Sequence, residues 1–236
     1  MGESKAVTTP MEPCLMLTKD GGKILEDATL FRQLVGSLFY STITRPDISY
    51  SVGVVSQFMS KPCESHFIAA KRILRYIKGT LNFGLLYKKN SSFLLTGFVD
   101  VDWADYVNDR RSTTGYCFNT GSAAITWCSK KQSTVALSSC EAEYVDATMA
   151  TQECFWLKRL IEEIFSILDY PVPIHCDNES AIKLAGNPDI QLKKIGMESQ
   201  VADIFTKALS KTKFDEFRSD LGVIDSKLAL SGSIEN

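Results

Sequence analysis

Hydrophobic and polar residues follow two different periods along the chain, and the period changes near residue 86. Before this point apolar residues recur every three or four positions, which is typical of amphipathic helices. The clearest helix is predicted over 65–78, with two others starting near residue 27 and covering 48–59. Residues 1–27 are polar and interrupted by Pro and Gly, so we interpret them as an extended lead-in.

From about residue 86 the pattern alternates with a period of two, which indicates strands. Strands are predicted over 93–102, 113–118, 123–129, 172–177 and 190–195. Gly121 suits the tight turn between the second and third of these. Helices are predicted over 139–165, 180–185 and 199–209. Strands followed by alternating helices and strands predict an α/β fold, a mixed sheet with helices on its faces, preceded by a small, mostly helical segment.

Composition and total charge are ordinary, but the charge is unevenly distributed. The 236 residues are 44% hydrophobic and 23% charged, with a net charge of −2. Residues 31–90 carry nine Lys and Arg against two acids, so the remainder is acidic. A basic module beside an acidic one suits a protein that holds a polyanion next to a carboxylate-rich site. The helix at 65–78 presents four cations, which either contact nucleic-acid phosphates or are simply solvated: Lys71, Arg72, Arg75 and Lys78.

The cysteines and the N-terminus predict an intracellular location. Seven cysteines are scattered without a Cys-x-x-Cys pair, as expected of reduced thiols. The first residues have no apolar core of a signal peptide, and no apolar run reaches membrane-spanning length. We therefore expect a cytoplasmic or nuclear protein that is not secreted and has no transmembrane segment.

Acidic residues stand where predicted strands end and helices begin. Asp100 and Asp102 share one face at the end of a strand, and Asp177 ends another. Glu143 and Asp203 lie near the starts of predicted helices. Each acid alone fits a solvated loop or a helix cap equally well. Together they could meet at one sheet edge, where carboxylates would bind Mg²⁺ or Mn²⁺, and two such ions serve phosphodiester hydrolysis.

The order of these elements resembles the ribonuclease H domain, and the motifs resemble its version in the Pol polyprotein of copia-type LTR retrotransposons. The motifs are Gly97–Ala104, Arg111–Tyr116, Ser139–Tyr144, Cys176–Asn178 and Ala202–Lys207. Upstream motifs resemble the tail of the copia reverse transcriptase: Arg32–Leu38, Thr44–Ile48 and Ala70–Tyr76. The resemblance covers about residues 5–225.

The resemblance implies roles for particular residues. Asp100, Glu143, Asp177 and Asp203 would be the catalytic set and would bind two Mg²⁺ ions, with Mn²⁺ as an alternative. Asp100 would bridge both ions, Glu143 and Asp177 would complete one site, and Asp203 the other. Asp102 and Glu141 would support them. The implied substrate is an RNA–DNA hybrid, cut in its RNA strand.

The implied domains are a lead-in (1–27), a basic helical reverse-transcriptase tail (28–90), a ribonuclease H-like domain (91–210) and a C-terminal tail (211–236). Two departures from the family pattern matter. The polymerase motif Tyr-x-Asp-Asp is absent, so no polymerase activity is expected. Only 25 residues separate Asp177 from Asp203, which implies that one helix before the last strand is missing. The sequence leaves open a ribonuclease H, a non-catalytic remnant that binds nucleic acid, and a purely structural fragment.

Overall fold

The computed structural model describes residues 4–19, 21–89, 92–103, 110–165, 168–177 and 189–227. Contacts divide the chain into two units, one spanning 88–206 and the other formed by 1–87 with 207–236. The described helices are α1 (Thr29–Ser41), α2 (Ser49–Ser56), α3 (Glu64–Gly79), α4 (Ser139–Ile164) and α5 (Lys211–Asp220). The described strands are β1 (Phe83–Leu85), β2 (Thr96–Asp102), β3 (Thr113–Asn119), β4 (Ala124–Lys131), β5 (Val172–Cys176), β6 (Ile190–Lys194) and β7 (Val223–Asp225).

A five-stranded mixed sheet forms the centre of the unit at 88–206. Its order is β4-β3-β2-β5-β6, in which β4, β3 and β2 are antiparallel and β5 and β6 run parallel to β2. The antiparallel strands are joined by the predicted hairpin, where Gly121 has φ 91° and its N–H is bonded to the Asn119 side chain. The predicted α/β mixed sheet is confirmed, and it is consistent with a ribonuclease H-like fold.

Helix α4 covers one face of this sheet. Ser138 caps it by accepting a hydrogen bond from the Glu141 N–H. Small and apolar residues at helical spacing, including Ala150, Cys154 and Leu157, turn towards the strands. They pack against the buried side chains of β2 and β5, such as Val99 and Ile174. This packing forms the hydrophobic core of the unit.

The segment Gln200–Thr206 lies on the opposite sheet face, and its conformation differs from the prediction. The helix predicted over 199–209 is wrong, because residues Val201–Phe205 form a 3-10 helix. All five of its residues are buried, whereas a surface α-helix would leave one face in water. The Gln200 side chain anchors the segment by donating to the Val99 carbonyl at 2.9 Å.

The unit formed by 1–87 and 207–236 contains the other helices and a small sheet. β1 and β7 pair antiparallel, so residues after 207 fold with the N-terminal helices. The segment 211–225, interpreted from sequence as a tail, carries α5 and β7, and Phe214 and Phe217 of α5 are buried. In the lead-in, Met11 and Leu17 are buried as well.

A buried ionic network lies inside the same unit. Arg45 binds both carboxylate oxygens of Asp47, at 2.8 and 2.7 Å. The Tyr76 hydroxyl donates to the same carboxylate at 2.6 Å, and Arg45 also reaches the Thr80 carbonyl. Because Asp47 is only 2% exposed, these donors are what make its burial tolerable.

The helix predicted over 180–185 and the shortened link after it lie outside the residues that the structure describes. Among the helices that the structure describes, none combines the length and apolar content needed to cross a bilayer.

Candidate active site

Asp100 lies near the end of the central strand β2, on the face that carries the 200–206 segment. It is 6% exposed and pairs across the ladder with Gly115 of β3. The Thr206 hydroxyl donates to Asp100 Oδ2 at 2.5 Å, and the same hydroxyl contacts the Asp203 carbonyl at 3.3 Å. One threonine therefore links the strand-end acid to the turn that bears Asp203.

Gly115 explains how this turn comes so close to the sheet. A Cβ atom at this position would lie 2.5 Å from Thr206 Cγ2, 3.0 Å from Phe205 Cβ and 3.1 Å from the Ala202 carbonyl oxygen. These separations are shorter than van der Waals contact. The absence of a side chain at Gly115 thus admits the Asp203 segment beside Asp100. Asp203 itself is 8% exposed.

Glu143 and Asp177 lie close together where the start of α4 meets the end of β5. Ligand atoms of Glu143, Asp177 and Cys176 all lie within 4.8 Å of one another. Asp177 directly follows β5, and Glu143 is the fifth residue of α4, near the helix start as predicted. The helix start and the strand end thus bring two of the four predicted acids together, with a cysteine thiol that the sequence analysis did not single out.

The electrostatic surroundings of Glu143 bring Asp100 into the same cluster. Burial, together with the negative charges of Asp177 and Asp100, raises the pKa of Glu143 to about 7. Glu143 Oε2 is buried and has no hydrogen-bond partner within the described part of the chain. A buried carboxylate oxygen near two like charges is a position that a cation would stabilise.

The structure distinguishes Glu143 from Glu141, two acids near the start of α4 that the sequence spacing alone does not rank. The Glu141 carboxylate accepts a hydrogen bond from the Leu137 N–H at 2.7 Å, while its own N–H is bonded to Ser138. This reciprocal arrangement satisfies the start of α4. Glu141 therefore serves the helix end, and Glu143 faces the other acids. Asp102 is the last residue of β2 and is half-buried.

Asp146 is a buried acid that the sequence analysis missed. It is 1% exposed and lies on the face of α4 that packs on the sheet. Its Oδ1 accepts hydrogen bonds from the Thr114 hydroxyl and from Gln132 Nε2, the latter at 2.8 Å. The available signal was an acid within the apolar stripe of α4, three residues after Glu143.

The predicted cations of α3 belong to the other unit and have contacts of their own. Arg72 forms an ion pair with Glu12 at 2.5 Å, and Lys78 donates to the Ser4 carbonyl at 2.9 Å. The Lys71 ammonium lies 4.0 Å from the centre of the Phe67 ring, which is a cation–π contact. Lys71 and Lys78 remain exposed, whereas Arg72 and Arg75 are half-buried.

The fold and the acids together define an α/β domain with a carboxylate cluster at the ends of its central strands. No protein-family model matches the chain. Curated relatives do. The chain is 40% identical over 243 residues to the retrovirus-related Pol polyprotein from transposon RE1 of Arabidopsis thaliana, which covers 93% of this chain and 17% of that polyprotein. It is 34% identical over 253 residues to the corresponding polyprotein from transposon TNT 1-94 of Nicotiana tabacum, covering 94% of this chain and 19% of the relative.

A third relative is much shorter. The secreted RxLR effector protein 161 of Plasmopara viticola is 48% identical over 124 residues, which is 52% of this chain and 87% of the effector. Over 93–94% of its length the chain is homologous to a segment of retrovirus-related Pol polyproteins from transposons, which supports a fragment of such a polyprotein. It spans less than one fifth of the length of the Pol polyproteins it matches.

Proposed function

We propose that the unit at 88–206 is a ribonuclease H that hydrolyses the RNA strand of RNA–DNA hybrids with two Mg²⁺ or Mn²⁺ ions. The proposed ligands are Asp100, Glu143, Asp177 and Asp203. The observation that carries the proposal is the convergence of Glu143 and Asp177 within 4.8 Å, together with the influence of Asp100 on Glu143. Carboxylates from three different elements that repel one another need a cation between them more than isolated carboxylates on a solvated surface do.

The donor set fits the proposed metals. Carboxylate oxygens are hard ligands of the kind that Mg²⁺ and Mn²⁺ prefer, and Glu143 Oε2 has no hydrogen-bond partner within the described residues. When bound, such ions supply charge neutralisation at the phosphodiester and activation of water. The chain itself orients the ligands. Thr206 holds the Asp100 carboxylate, and the start of α4 holds Glu143 opposite Asp177.

Cleavage of a defined hybrid tests this function. The substrate is an RNA strand labelled at its 5′ end and annealed to DNA, with double-stranded RNA and double-stranded DNA as comparison substrates. We expect Mg²⁺- or Mn²⁺-dependent cutting of the RNA in the hybrid alone, with 3′-hydroxyl products. Absence of cutting by the folded, unsubstituted protein in both metals would refute the proposal.

A matched pair of substitutions assigns the activity to the site. Asp100→Asn removes a proposed ligand charge from β2, and Asp102→Asn removes the same charge two residues further along the same strand face. We expect the first to abolish cleavage and the second to retain most of it. Circular dichroism on both variants controls for folding. Equal losses in the two variants would contradict the assignment of Asp100.

The second candidate function is binding of nucleic acid without cleavage, through the basic residues of α3. Lys71 and Lys78 are both exposed residues of one helix, which favours this candidate. Neutralising phosphates releases counterions, so the logarithm of the affinity for a hybrid should fall linearly with the logarithm of salt concentration. We expect the Lys71→Gln, Lys78→Gln double variant to reduce this slope by about 2, because each phosphate contact contributes nearly one unit. An unchanged slope would exclude these two lysines from the interface.

A further inference from the structure

Asp146 sits at the centre of a buried hydrogen-bonded cluster that joins α4 to two strands. Its Oδ1 accepts one hydrogen bond from the hydroxyl of Thr114, in β3, and another from the Nε2 of Gln132, the residue that follows β4. Gln132 Nε2 also reaches the Ala142 carbonyl of α4 at 3.1 Å, and the Gln132 N–H is bonded to the Ser112 carbonyl at 2.9 Å. The cluster therefore binds the turn of α4 between Ala142 and Asp146 to the sheet.

That turn is the one that contains Glu143. A helix that packs by apolar contacts alone can slide or rotate slightly on a sheet, whereas directional hydrogen bonds fix its position. Further along α4, the contact with β4 includes a comparable bond from the Thr126 hydroxyl to Glu153 at 2.9 Å. The bond from Thr114 lies three residues beyond Glu143, and the bond from Thr126 lies ten residues beyond it. Only the first is placed to control the position of Glu143.

We infer that Asp146 is a positioning residue for the acidic site, which through Thr114 and Gln132 fixes Glu143 opposite Asp177. The part of the inference that is tested by metal binding rests on the proposed function, whereas the part that is tested by hydrogen exchange in α4 does not. Asp146 touches neither substrate nor metal in this scheme. Its effect passes through the turn Ala142–Asp146.

The charge of Asp146 is consistent with this role. Burial raises the pKa of Asp146, the hydrogen bonds from Thr114 and Gln132 lower it, and the charges of Asp100 and Glu143 raise it, so that the resulting pKa is about 8. A neutral Asp146 adds no further negative charge behind Glu143. An asparagine has nearly the same shape and is neutral, so Asp146→Asn should preserve the arrangement, whereas Asp146→Ala removes the acceptor and leaves a cavity.

The test compares two matched substitutions that each remove one hydrogen bond between α4 and the sheet. Thr114→Val breaks the bond to Asp146, and Thr126→Val breaks the bond to Glu153. Mn²⁺ affinity is measured by electron paramagnetic resonance titration of the full chain. We expect Thr114→Val to weaken Mn²⁺ binding by about tenfold, the effect one hydrogen bond of ordinary strength can transmit. Thr126→Val should leave the affinity unchanged, and Asp146→Asn should bind as the unsubstituted protein does.

Hydrogen exchange of the α4 amides supplies a readout that needs no metal. Amides in the turn Ala142–Asp146 should exchange faster in Thr114→Val than in Thr126→Val. If the unsubstituted protein binds no Mn²⁺, the proposed metal site has failed, and this exchange difference alone decides the positioning role. Equal exchange in that turn would overturn the inference, and so would equal loss of Mn²⁺ affinity in the two valine variants of a protein that binds Mn²⁺.

Discussion

Replacing Gly115 by alanine should displace the segment that carries Asp203. The new Cβ would meet Thr206 Cγ2 at 2.5 Å, Phe205 Cβ at 3.0 Å and the Ala202 carbonyl oxygen at 3.1 Å. The Ala202 oxygen belongs to the backbone and Phe205 Cβ is fixed to it, so rotation of a side chain cannot relieve all three contacts. The 3-10 helix Val201–Phe205 must therefore move away from β3.

The size of the effect follows from two opposing contributions. Overpacking in a close-packed interior costs about 1–3 kcal/mol. Alanine also restricts the unfolded chain, which offsets about 0.4–1 kcal/mol of this cost. We expect a net loss of about 1–2 kcal/mol in the free energy of unfolding. In a chain of this length, each kcal/mol lost lowers Tm by about 2–4 °C. Movement of Thr206 would also release Asp100, so Mn²⁺ affinity and hybrid cleavage should fall with stability.

Two other glycines supply controls for this substitution. A Cβ at Gly97 would meet Phe118 Cε1 at 2.6 Å and Ile174 Cγ1 at 3.1 Å, both in the core beneath α4. Gly97→Ala should therefore cost similar stability without moving the Asp203 segment. Gly196→Ala precedes that segment and would meet nothing within 4 Å, so it should be neutral.

Urea denaturation of the three variants gives the stability changes, and Mn²⁺ titration gives the effect on the site. The expected pattern is loss of both properties in Gly115→Ala and loss of stability alone in Gly97→Ala. Unchanged stability in Gly115→Ala would refute the packing argument. Equal Mn²⁺ affinity in Gly115→Ala and Gly97→Ala would refute the link between the Gly115 contact and the metal site.

Two further predictions concern buried ionisable groups. Tyr76→Phe removes the 2.6 Å hydrogen bond to Asp47 and should lower the free energy of unfolding by about 1–2 kcal/mol in urea titrations; an unchanged midpoint would show that this bond contributes nothing net. Because the pKa of Asp146 is raised to about 8, the native state retains a proton that the unfolded chain releases near pH 4. The stability that this proton contributes to the folded state is complete at low pH and is lost as pH rises towards 8. Measured in chelator at pH 5 and pH 8, the fall in stability should be smaller in Asp146→Asn than in the unsubstituted protein, and equal falls would contradict the assignment.

The periodic elements of this protein were predictable from local sequence. Helix α3, helix α4 and the β3–β4 hairpin occur where the apolar spacing predicts them, because each buries one regular stripe or face of its own. The acids at strand ends were visible for a related reason. A buried strand must emerge into a polar environment, which is why Asp102 ends β2 and Asp177 directly follows β5, whereas Asp100 lies two residues before the end of β2 and is itself buried.

Contacts between distant segments decided the rest. The residues after 199 have a helical pattern, yet they form a 3-10 turn because Gln200 is bonded to Val99, about 100 residues earlier, and the whole turn is buried. Spacing could not rank Glu141 against Glu143, since the capping bond at Leu137 depends on how the chain enters α4.

The sequence by itself determined the mixed sheet, its covering helix and the acids that its strands present. Only the tertiary structure decided which acids converge, that Asp146 is buried behind them, and that Gly115 leaves room for the segment with Asp203. The physical reason is range. Periodicity records the burial of one element against its surroundings, whereas a site of several carboxylates depends on close approaches among segments far apart in the chain, which no local pattern encodes.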